Sequence, residues 1–229
     1  VGRGRRLAEI VDAAGAVHVI QGPERVALVG PNGVGKTVLI ESMVGGLIPQ
    51  GDSTRSAPLR GSARLTHREA RGSISARVGY LPQRLDHLDD RRAVLDCVRD
   101  AAPTVDPATI RNRLARFGLR RDTVLRPLGT LSGGERFRAA LAALLLADPP
   151  AQLLILDEPT NNLDLATAEV LVDALTQYRG GLLVVSHDDD FLLRLAVDRR
   201  LELHPDASIA VTVEPVDTED GGKWGVYHQ

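Results

Sequence analysis

Several residue types are scarce in this 229-residue sequence, and each scarcity excludes a class of protein. Cys97 is the only cysteine, which excludes an intrachain disulfide and a thiolate zinc site. The longest apolar runs, such as Ala139 to Ala147, are far shorter than the roughly 20 residues that cross a bilayer, and no signal peptide opens the sequence. We therefore expect a cytoplasmic protein with no direct membrane insertion. A formal charge of -2 argues against a broad basic surface for nucleic acid.

Lysine is also scarce, because Lys36 and Lys223 are the only lysines among 28 basic residues. The rest of the composition, 43% hydrophobic and 25% charged, is typical of one globular domain with a buried core. Since arginine serves almost everywhere else, a lysine at position 36 calls for a specific explanation.

The pattern of apolar residues predicts an α/β fold. Short apolar runs predict strands at residues 24–29, 76–81, 152–156 and 182–185, with shorter strands near Leu201 and Ile209. Helical periodicity between these runs predicts helices at residues 36–43, 165–178 and 189–195. Strands that alternate with helices imply βαβ units and a mostly parallel sheet.

The remaining segments predict additions to that sheet. Residues 84–147 carry three amphipathic patterns, which predict an inserted helical subdomain. Residues 49–76 are rich in Gly, Ser, Arg and Pro and predict a loop-rich antiparallel β patch, and the polar end predicts a mobile tail at residues 215–229. We therefore expect a single domain, with an α/β core at residues 1–83 and 148–214.

One motif fits the phosphate-loop pattern G-x-x-x-x-G-K-[ST]. It follows a predicted strand, opens a predicted helix and consists of Gly30, Pro31, Asn32, Gly33, Val34, Gly35, Lys36 and Thr37. Its backbone N–H groups would surround a β-phosphate, Lys36 would reach the β- and γ-phosphates, and the Thr37 hydroxyl would bind Mg²⁺. The alternative is a glycine-rich turn before an ordinary surface lysine, which the scarcity of lysine argues against.

Two carboxylates, Asp157 and Glu158, follow the apolar run at residues 152–156. Because adjacent residues on a strand point to opposite sides of the sheet, we predict different roles for the two carboxylates. Asp157 suits the Mg²⁺ shell, and Glu158 suits orientation and partial deprotonation of an attacking water. Alternatively, the acids only cap the next helix. The phosphate loop favours the first interpretation, because phosphoryl transfer needs a metal opposite the cradle.

Two further polar residues follow predicted strands. His187 is a candidate to contact a γ-phosphate and to hold Glu158 in place. Gln83 is a candidate to touch both Mg²⁺ and water and to report the nucleotide state to the helical region. The alternatives are an ordinary histidine and a polar hinge residue, so both assignments depend on their neighbours.

The run Leu131-Ser132-Gly133-Gly134-Glu135 precedes a predicted helix and completes a set of six motifs. The others are the phosphate loop, Gln83, the acidic strand ending at Glu158, Asn162-Leu163-Asp164 and His187. In order and spacing, the set resembles the nucleotide-binding domain of ATP-binding cassette (ABC) proteins. The resemblance implies a P-loop NTPase fold and an ATPase that uses ATP and Mg²⁺.

The resemblance also implies roles for single residues. It assigns catalysis to Glu158, His187 and Gln83 and the metal site to Thr37, Gln83 and Asp157. Two such domains would face each other head to tail, with each ATP between one phosphate loop and the other domain's signature, namely Ser132, Gly133, Gly134 and Glu135. Asp164 would belong to the D-loop. The implied partner is a second cassette on the same or a linked chain, and the pair would work as an ATP-driven clamp.

Details of the motifs resemble the ABC-F branch, whose members carry two cassettes and act on ribosomes, some of them in antibiotic resistance. These details are Glu135 and the segments at residues 158–164 and 186–192. The resemblance implies half of a translation or antibiotic-resistance factor, or a stand-alone relative. Two alternatives stay open: the ATPase subunit of a transporter with a membrane permease, and a module that binds ATP with little turnover.

One feature departs from the family. ABC proteins usually stack adenine on an aromatic residue before the phosphate loop, but Tyr80 is the first Phe, Tyr or Trp here. His18 is the upstream candidate for this contact. Otherwise the stacking is lost or comes from additional N-terminal sequence.

Overall fold

The computed structural model describes residues 4–45, 71–86 and 88–213. The strands are β1 (Arg6–Val11), β2 (Val17–Gln21), β3 (Arg25–Val29), β4 (Arg71–Ile74), β5 (Val78–Leu81), β6 (Leu153–Asp157), β7 (Gly181–Val185), β8 (Arg199–Leu203) and β9 (Ile209–Val213). The helices are α1 (Lys36–Gly45), α2 (Val94–Ala101), α3 (Pro107–Arg116), α4 (Gly133–Leu145), α5 (Leu165–Gln177) and α6 (Asp189–Arg194). The predicted tail and most of the predicted patch at residues 49–76 lie outside the described residues.

The larger sheet has six strands in the order β5-β6-β7-β3-β8-β9. Its first five strands run parallel, and β9 is antiparallel to β8. Every residue of β6 and β7 is buried, as expected for central parallel strands that are covered on both faces. The predicted mixed α/β fold with a mostly parallel sheet is therefore confirmed.

The side chains of this sheet divide between two cores, one on each face. Leu154 and Leu156 pack into the core formed with the helices of residues 94–145 and with α5. Leu153 and Ile155 pack into the other core, together with α1 and the smaller sheet. This division follows from the period of two along a strand. A continuous apolar run can therefore serve both faces at once.

The smaller sheet is antiparallel, in the order β2-β1-β4. The sequence patterns assigned no element to the first twenty residues, but β1 and β2 pair there, and Ala8 also pairs with Ile74 of β4. The alternation of buried and exposed residues that indicates a strand is obscured here by the basic start of the sequence and by the Gly/Ala-rich turn between β1 and β2. All of β4 lies within the predicted antiparallel patch at residues 49–76. At Gly72 a side chain would run into Met43 of α1, so a glycine lets this sheet lie directly on the helix.

Three helices, α2, α3 and α4, occupy the segment predicted to be helical. Asp106 begins α3 by accepting a hydrogen bond from the Thr109 N–H at 2.9 Å, and Pro107 takes the first helical position. Ile110 and Leu114 form the buried face of α3. In the described ranges, no helix is long and apolar enough to span a bilayer.

Candidate functional site

Three loops meet at the carboxyl edge of the six-stranded sheet. Val185 of β7 lies opposite Leu28 of β3 on one side and opposite Asp157 of β6 on the other. The chain therefore leaves these neighbouring parallel strands at one edge, where ligands of open α/β sheets bind. The predicted phosphate loop, the acidic pair and His187 are brought together there.

The phosphate loop depends on glycine for its backbone shape. Gly30, Gly33 and Gly35 have φ values of 141°, 78° and 105°, a region that other residues rarely adopt. A side chain on Gly30 would also collide with the carbonyl oxygen of Leu203. Around Gly33 and Gly35, by contrast, no described atom beyond the glycine and the two residues adjoining it lies within 4 Å of the place a side chain would take. The loop is thus curved and open at the point where α1 begins.

Lys36 is enclosed by the loop that it follows. It is 6% exposed, and its Nζ donates hydrogen bonds to the carbonyl oxygens of Gly30 at 2.7 Å and Pro31 at 3.1 Å. The ammonium can only donate hydrogen bonds, and the two backbone carbonyls that accept them hold its positive charge inside the loop. An anion that enters the loop therefore meets a positioned cation.

Asp157 is 1% exposed, and among the described residues neither of its carboxylate oxygens finds a hydrogen-bond donor. Burial raises the pKa of this carboxyl, and the nearby Thr37 side chain and the charge of Lys36 act in the opposite direction. A buried acid without donors is costly unless a cation neutralises it. Mg²⁺ prefers oxygen ligands, so Asp157 and the Thr37 hydroxyl fit this ion.

The Glu158 carboxylate and the His187 imidazole are in contact beside Asp157. The distance from Glu158 Oε1 to His187 Nε2 is 2.6 Å, with the Glu158 side chain 8% exposed and the His187 side chain 47% exposed. Burial raises the pKa of Glu158, while His187 lowers it. A carboxylate with a raised pKa is a better proton acceptor near neutral pH. The imidazole therefore keeps a basic carboxylate in one position.

The backbone at Glu158 differs from our expectation. We placed Glu158 on the strand beside Asp157, but β6 ends at Asp157 and Glu158 has a φ of 47°. Its N–H donates to the carbonyl of Val185 at 2.8 Å, which fastens the turn to β7. A left-handed glutamate is strained, and such strain concentrates at functional sites. The turn, rather than strand alternation, separates the two acids.

Gln83 lies two residues after β5, and Leu81 at the end of that strand pairs with Leu156. It therefore belongs to the same sheet edge as Asp157. Its side chain is exposed and forms no hydrogen bond with any described residue. The structure thus places Gln83 near the site without showing a contact.

Ser132 and Glu135 form a capping box at the start of α4. The Ser132 Oγ accepts the Glu135 N–H at 3.2 Å, and a Glu135 carboxylate oxygen accepts the Ser132 N–H at 2.9 Å. We had interpreted these residues only as part of the family motif. The S-x-x-E spacing before an apolar run is itself a sequence signal for this cap and could have revealed it.

Asp164 is the N-cap of α5, where it accepts the Thr167 N–H at 2.7 Å. A side chain on Gly134 would lie 2.9 Å from Thr167 Oγ1 and 3.1 Å from Asp164 Oδ2, so glycine allows α4 to approach α5 closely. Arg138 of α4 donates to Thr167 Oγ1 at 2.8 Å, a link that sequence reasoning missed. No hydrogen bond between described residues joins this group to the three loops at the sheet edge.

The capping box leads to a prediction about stability. We expect Ser132→Ala to lower the free energy of unfolding by about 1 kcal/mol, because the Glu135 N–H loses its acceptor. Urea denaturation followed by circular dichroism measures the change. Glu135→Gln is the control, since an amide oxygen can still accept the Ser132 N–H, and this variant should lose less.

The same box should respond to pH. Accepting the Ser132 N–H lowers the pKa of Glu135. The stabilisation that this bond contributes is therefore fully present above the pKa of glutamate in the unfolded chain, about 4.3. It is lost as the pH falls through the lower pKa of Glu135 in the folded protein. The Glu135→Gln variant should lack this part of the acid sensitivity. A Ser132→Ala variant as stable as the wild type would contradict the energetic role of the cap.

His18 does not offer a free ring face for adenine. It is 8% exposed, and its Nε2 lies 3.5 Å from Asp12 Oδ2. Asp12 is buried too, and its carboxylate accepts the N–H of Ala16 at 2.8 Å and of Ile209 at 3.3 Å. The pair therefore connects the smaller sheet to β9, and His18 as a stacking residue is a wrong candidate.

Comparison with known proteins places these motifs in a family. The family model described as ABC transporter matches residues 18–161, more than half of the chain. YdiF of Bacillus subtilis (strain 168) is 42% identical over 184 residues, which cover 79% of this chain and 25% of YdiF. ATP-binding cassette sub-family F member 3 of Homo sapiens is 35% identical over 169 residues, 73% of this chain and 21% of that protein. The chain thus spans about a quarter of the length of these relatives.

Solved structures share the fold. The RNase-L Inhibitor matches with a TM-score of 0.62 at 23% identity, covering 92% of this chain and 40% of that one. The complex of an archaeal ribosomal stalk protein with the archaeal ribosome recycling factor aABCE1 matches with a TM-score of 0.63, at the same identity and coverage. At this identity the likeness concerns the fold alone.

Proposed function

The chain belongs to the ABC transporter family, whose nucleotide-binding domains are ATPases, and from that premise we propose that it hydrolyses ATP at the edge formed by Lys36, Asp157 and Glu158. The observation that carries the proposal is the 2.6 Å pair of Glu158 and His187 beside a buried Asp157 without donors. A base, a position for a cation and a phosphate cradle are the parts that phosphoryl transfer requires.

The phosphate loop would receive the triphosphate. Lys36 would exchange its bonds to the Gly30 and Pro31 carbonyls for bonds to the β- and γ-phosphates, which are stronger acceptors. The open space beside Gly33 and Gly35 leaves room for phosphate oxygens close to the backbone. Binding would cost little reorganisation, because the ammonium already lies inside the loop.

Glu158 would accept a proton from water as the water oxygen attacks the γ-phosphorus. The bond from that phosphorus to the β–γ bridging oxygen breaks, and ADP and inorganic phosphate leave. His187 would hold the Glu158 carboxylate and contact the γ-phosphate. Thr37, Asp157 and Gln83 would hold Mg²⁺, which supplies neutralisation of the phosphate charge when bound.

We propose that the signature acts on the ATP of a second cassette. Ser132 and Gly133 are exposed at the start of α4, and apart from the adjoining residues and the backbone of the helix itself, no described atom lies within 4 Å of a side-chain position on Gly133. The Ser132 oxygen accepts the Glu135 N–H, so its own O–H remains free to donate. Gly134 and Asp164 set how the signature lies against α5. An exposed donor at a helix N-terminus suits a γ-phosphate from outside the chain.

A shared site predicts a particular concentration dependence. We expect the ATP turnover of this chain to rise more than linearly with protein concentration, because each site needs a Ser132 from another cassette. Phosphate release over a wide concentration range measures this, with Glu158→Gln as the background control. Efficient turnover that stays strictly proportional to concentration would overturn the shared site but not hydrolysis itself.

For the complete protein we propose a cytoplasmic ABC-F-type translation or antibiotic-resistance factor that associates with ribosomes. The support is the glutamate at position 135 of the signature, together with the 35% identity to a sub-family F member. The full-length protein with Glu158→Gln should co-sediment with ribosomes in ATP and be released without it. Co-purification with a membrane permease in place of ribosomes would favour a transporter ATPase subunit and overturn this role.

A further inference from the structure

A cavity lies at the edge of the six-stranded sheet opposite the proposed ATPase site. Its volume is about 760 Å³, and Gln152 and Gly180, which precede β6 and β7, line it. Asp157 is the last residue of β6, and Glu158 and His187 follow the ends of β6 and β7. The cavity is therefore separated from the proposed ATPase site by the length of the sheet.

The floor of this cavity is apolar and comes from helices. Val170 and Ala174, one turn apart on α5, contribute to it together with Leu145 and Leu146 at the end of α4. Tyr178 adds its ring, which is held in place because the phenol donates to the carbonyl of Ala151 at 2.9 Å. The floor can thus receive an apolar or aromatic body.

The rim carries an excess of positive charge. Arg113 and Arg116 of α3, Arg5 before β1 and Arg179 before β7 line the cavity, with Asp173 as the acidic member of the lining. All four arginines are exposed, and none of their guanidinium groups forms a hydrogen bond or ion pair with a described residue. Four guanidinium groups without acceptors, gathered over one apolar floor, can bind an anion.

Other arginines on the surface behave differently. Arg194 pairs with Glu169 of α5 at 2.6 Å, and Arg84 pairs with Asp86 at 2.8 Å. On the same helix α5, Asp173 faces the cavity but pairs with none of its arginines among the described contacts. The donors of the rim are therefore available to a ligand.

We propose that this cavity is a binding site for a small amphipathic anion, one phosphate, sulfonate or carboxylate group on an apolar or aromatic body. Its volume lies within the range of about 300–1,000 Å³ that is typical of small-molecule sites. Guanidinium groups bind such acids through paired hydrogen bonds. The proposal does not depend on ATP hydrolysis at the other edge.

A nucleic-acid strand suits the cavity less well. Such a strand needs a continuous basic path with exposed aromatic platforms on which the bases stack. Here Phe117 is buried, and the Tyr178 ring is partly buried in the floor. The four arginines line one cavity, so one compact ligand is favoured over a strand.

Fluorescence of 8-anilinonaphthalene-1-sulfonate, an aromatic sulfonate, tests the site directly. The titration is done with and without excess Mg²⁺ and ATP, and dye that ATP displaces equally from the wild type and from the arginine variant is assigned to the nucleotide site. We expect saturable binding that the double variant Arg113→Gln/Arg116→Gln weakens at least about tenfold, since bonds to charged groups are strong. Arg111→Gln is the matched control, because Arg111 is exposed on the same helix but does not line the cavity.

A second variant tests the floor. Ala174→Trp would fill the space beside Val170, and it should abolish dye binding while all four arginines remain. Equal affinity in the wild type and the double arginine variant would overturn the proposal. So would displacement of the dye by inorganic phosphate as readily as by an alkyl phosphate, which would indicate an anion patch only. If an oligonucleotide displaces the dye, and longer oligonucleotides do so with higher affinity, the cavity is part of a nucleic-acid surface and the proposal is overturned.

Discussion

Glu158→Gln is expected to slow ATP hydrolysis by about 10²–10⁴-fold while sparing ATP binding. Glutamine keeps the size of the side chain and a hydrogen-bond acceptor for His187, which lies 2.6 Å from the carboxylate, but it cannot take a proton from water. Phosphate release measures turnover, and equilibrium binding of labelled ATP measures affinity. A loss confined to turnover is the signature of an interaction made in the transition state.

The matched control for this change is Glu169→Gln. Glu169 is an exposed acid on α5 that pairs with Arg194, away from the sheet edge. Its substitution should leave turnover unchanged, since a surface ion pair contributes little even to stability. Undiminished turnover in the Glu158 variant would refute the assignment of Glu158 as the base.

Lys36→Ala is expected to damage both binding and hydrolysis. Removing an ammonium that would contact the phosphates should weaken ATP affinity by at least roughly 10- to 100-fold, because even one bond to a charged group is worth about 1.5–3 kcal/mol. Turnover should fall further, since charge develops on the γ-phosphate oxygens during transfer. Isothermal titration with ATP and phosphate release separate the two effects.

Lys36→Arg sharpens the same experiment, because it keeps the charge and matches the arginine usage of the chain. Lys36 is 6% exposed inside a loop whose carbonyls lie 2.7 and 3.1 Å from its ammonium. A planar guanidinium on a bulkier group does not fit that enclosure, so we expect this variant to be impaired too. Val38→Ala on the exposed side of α1 is the control and should behave as the wild type. Full activity with arginine would show that only the charge matters at this position.

Some of the features behind the proposed roles could be predicted from the sequence, and others could not. The phosphate loop was identifiable because glycines, a lysine and a threonine have to stand at fixed spacing between a strand and a helix. The capping box at Ser132 and Glu135 was identifiable too, since it spans only four residues. What escaped was the left-handed turn at Glu158, with its φ of 47°, because the N–H of this residue bonds to Val185, which is distant in sequence and lies on a neighbouring strand.

Local patterns by themselves determined the parallel strands, the helices and the identity of the candidate site residues. Each is encoded in a short stretch of chain by side-chain period, turn chemistry or motif spacing. Only the tertiary structure decided the pairing of β1 with β4, the burial of His18 against Asp12 and the gathering of four arginines at one cavity. These features join residues that are distant in sequence, and the free energy that favours them comes from packing and charge among all their neighbours.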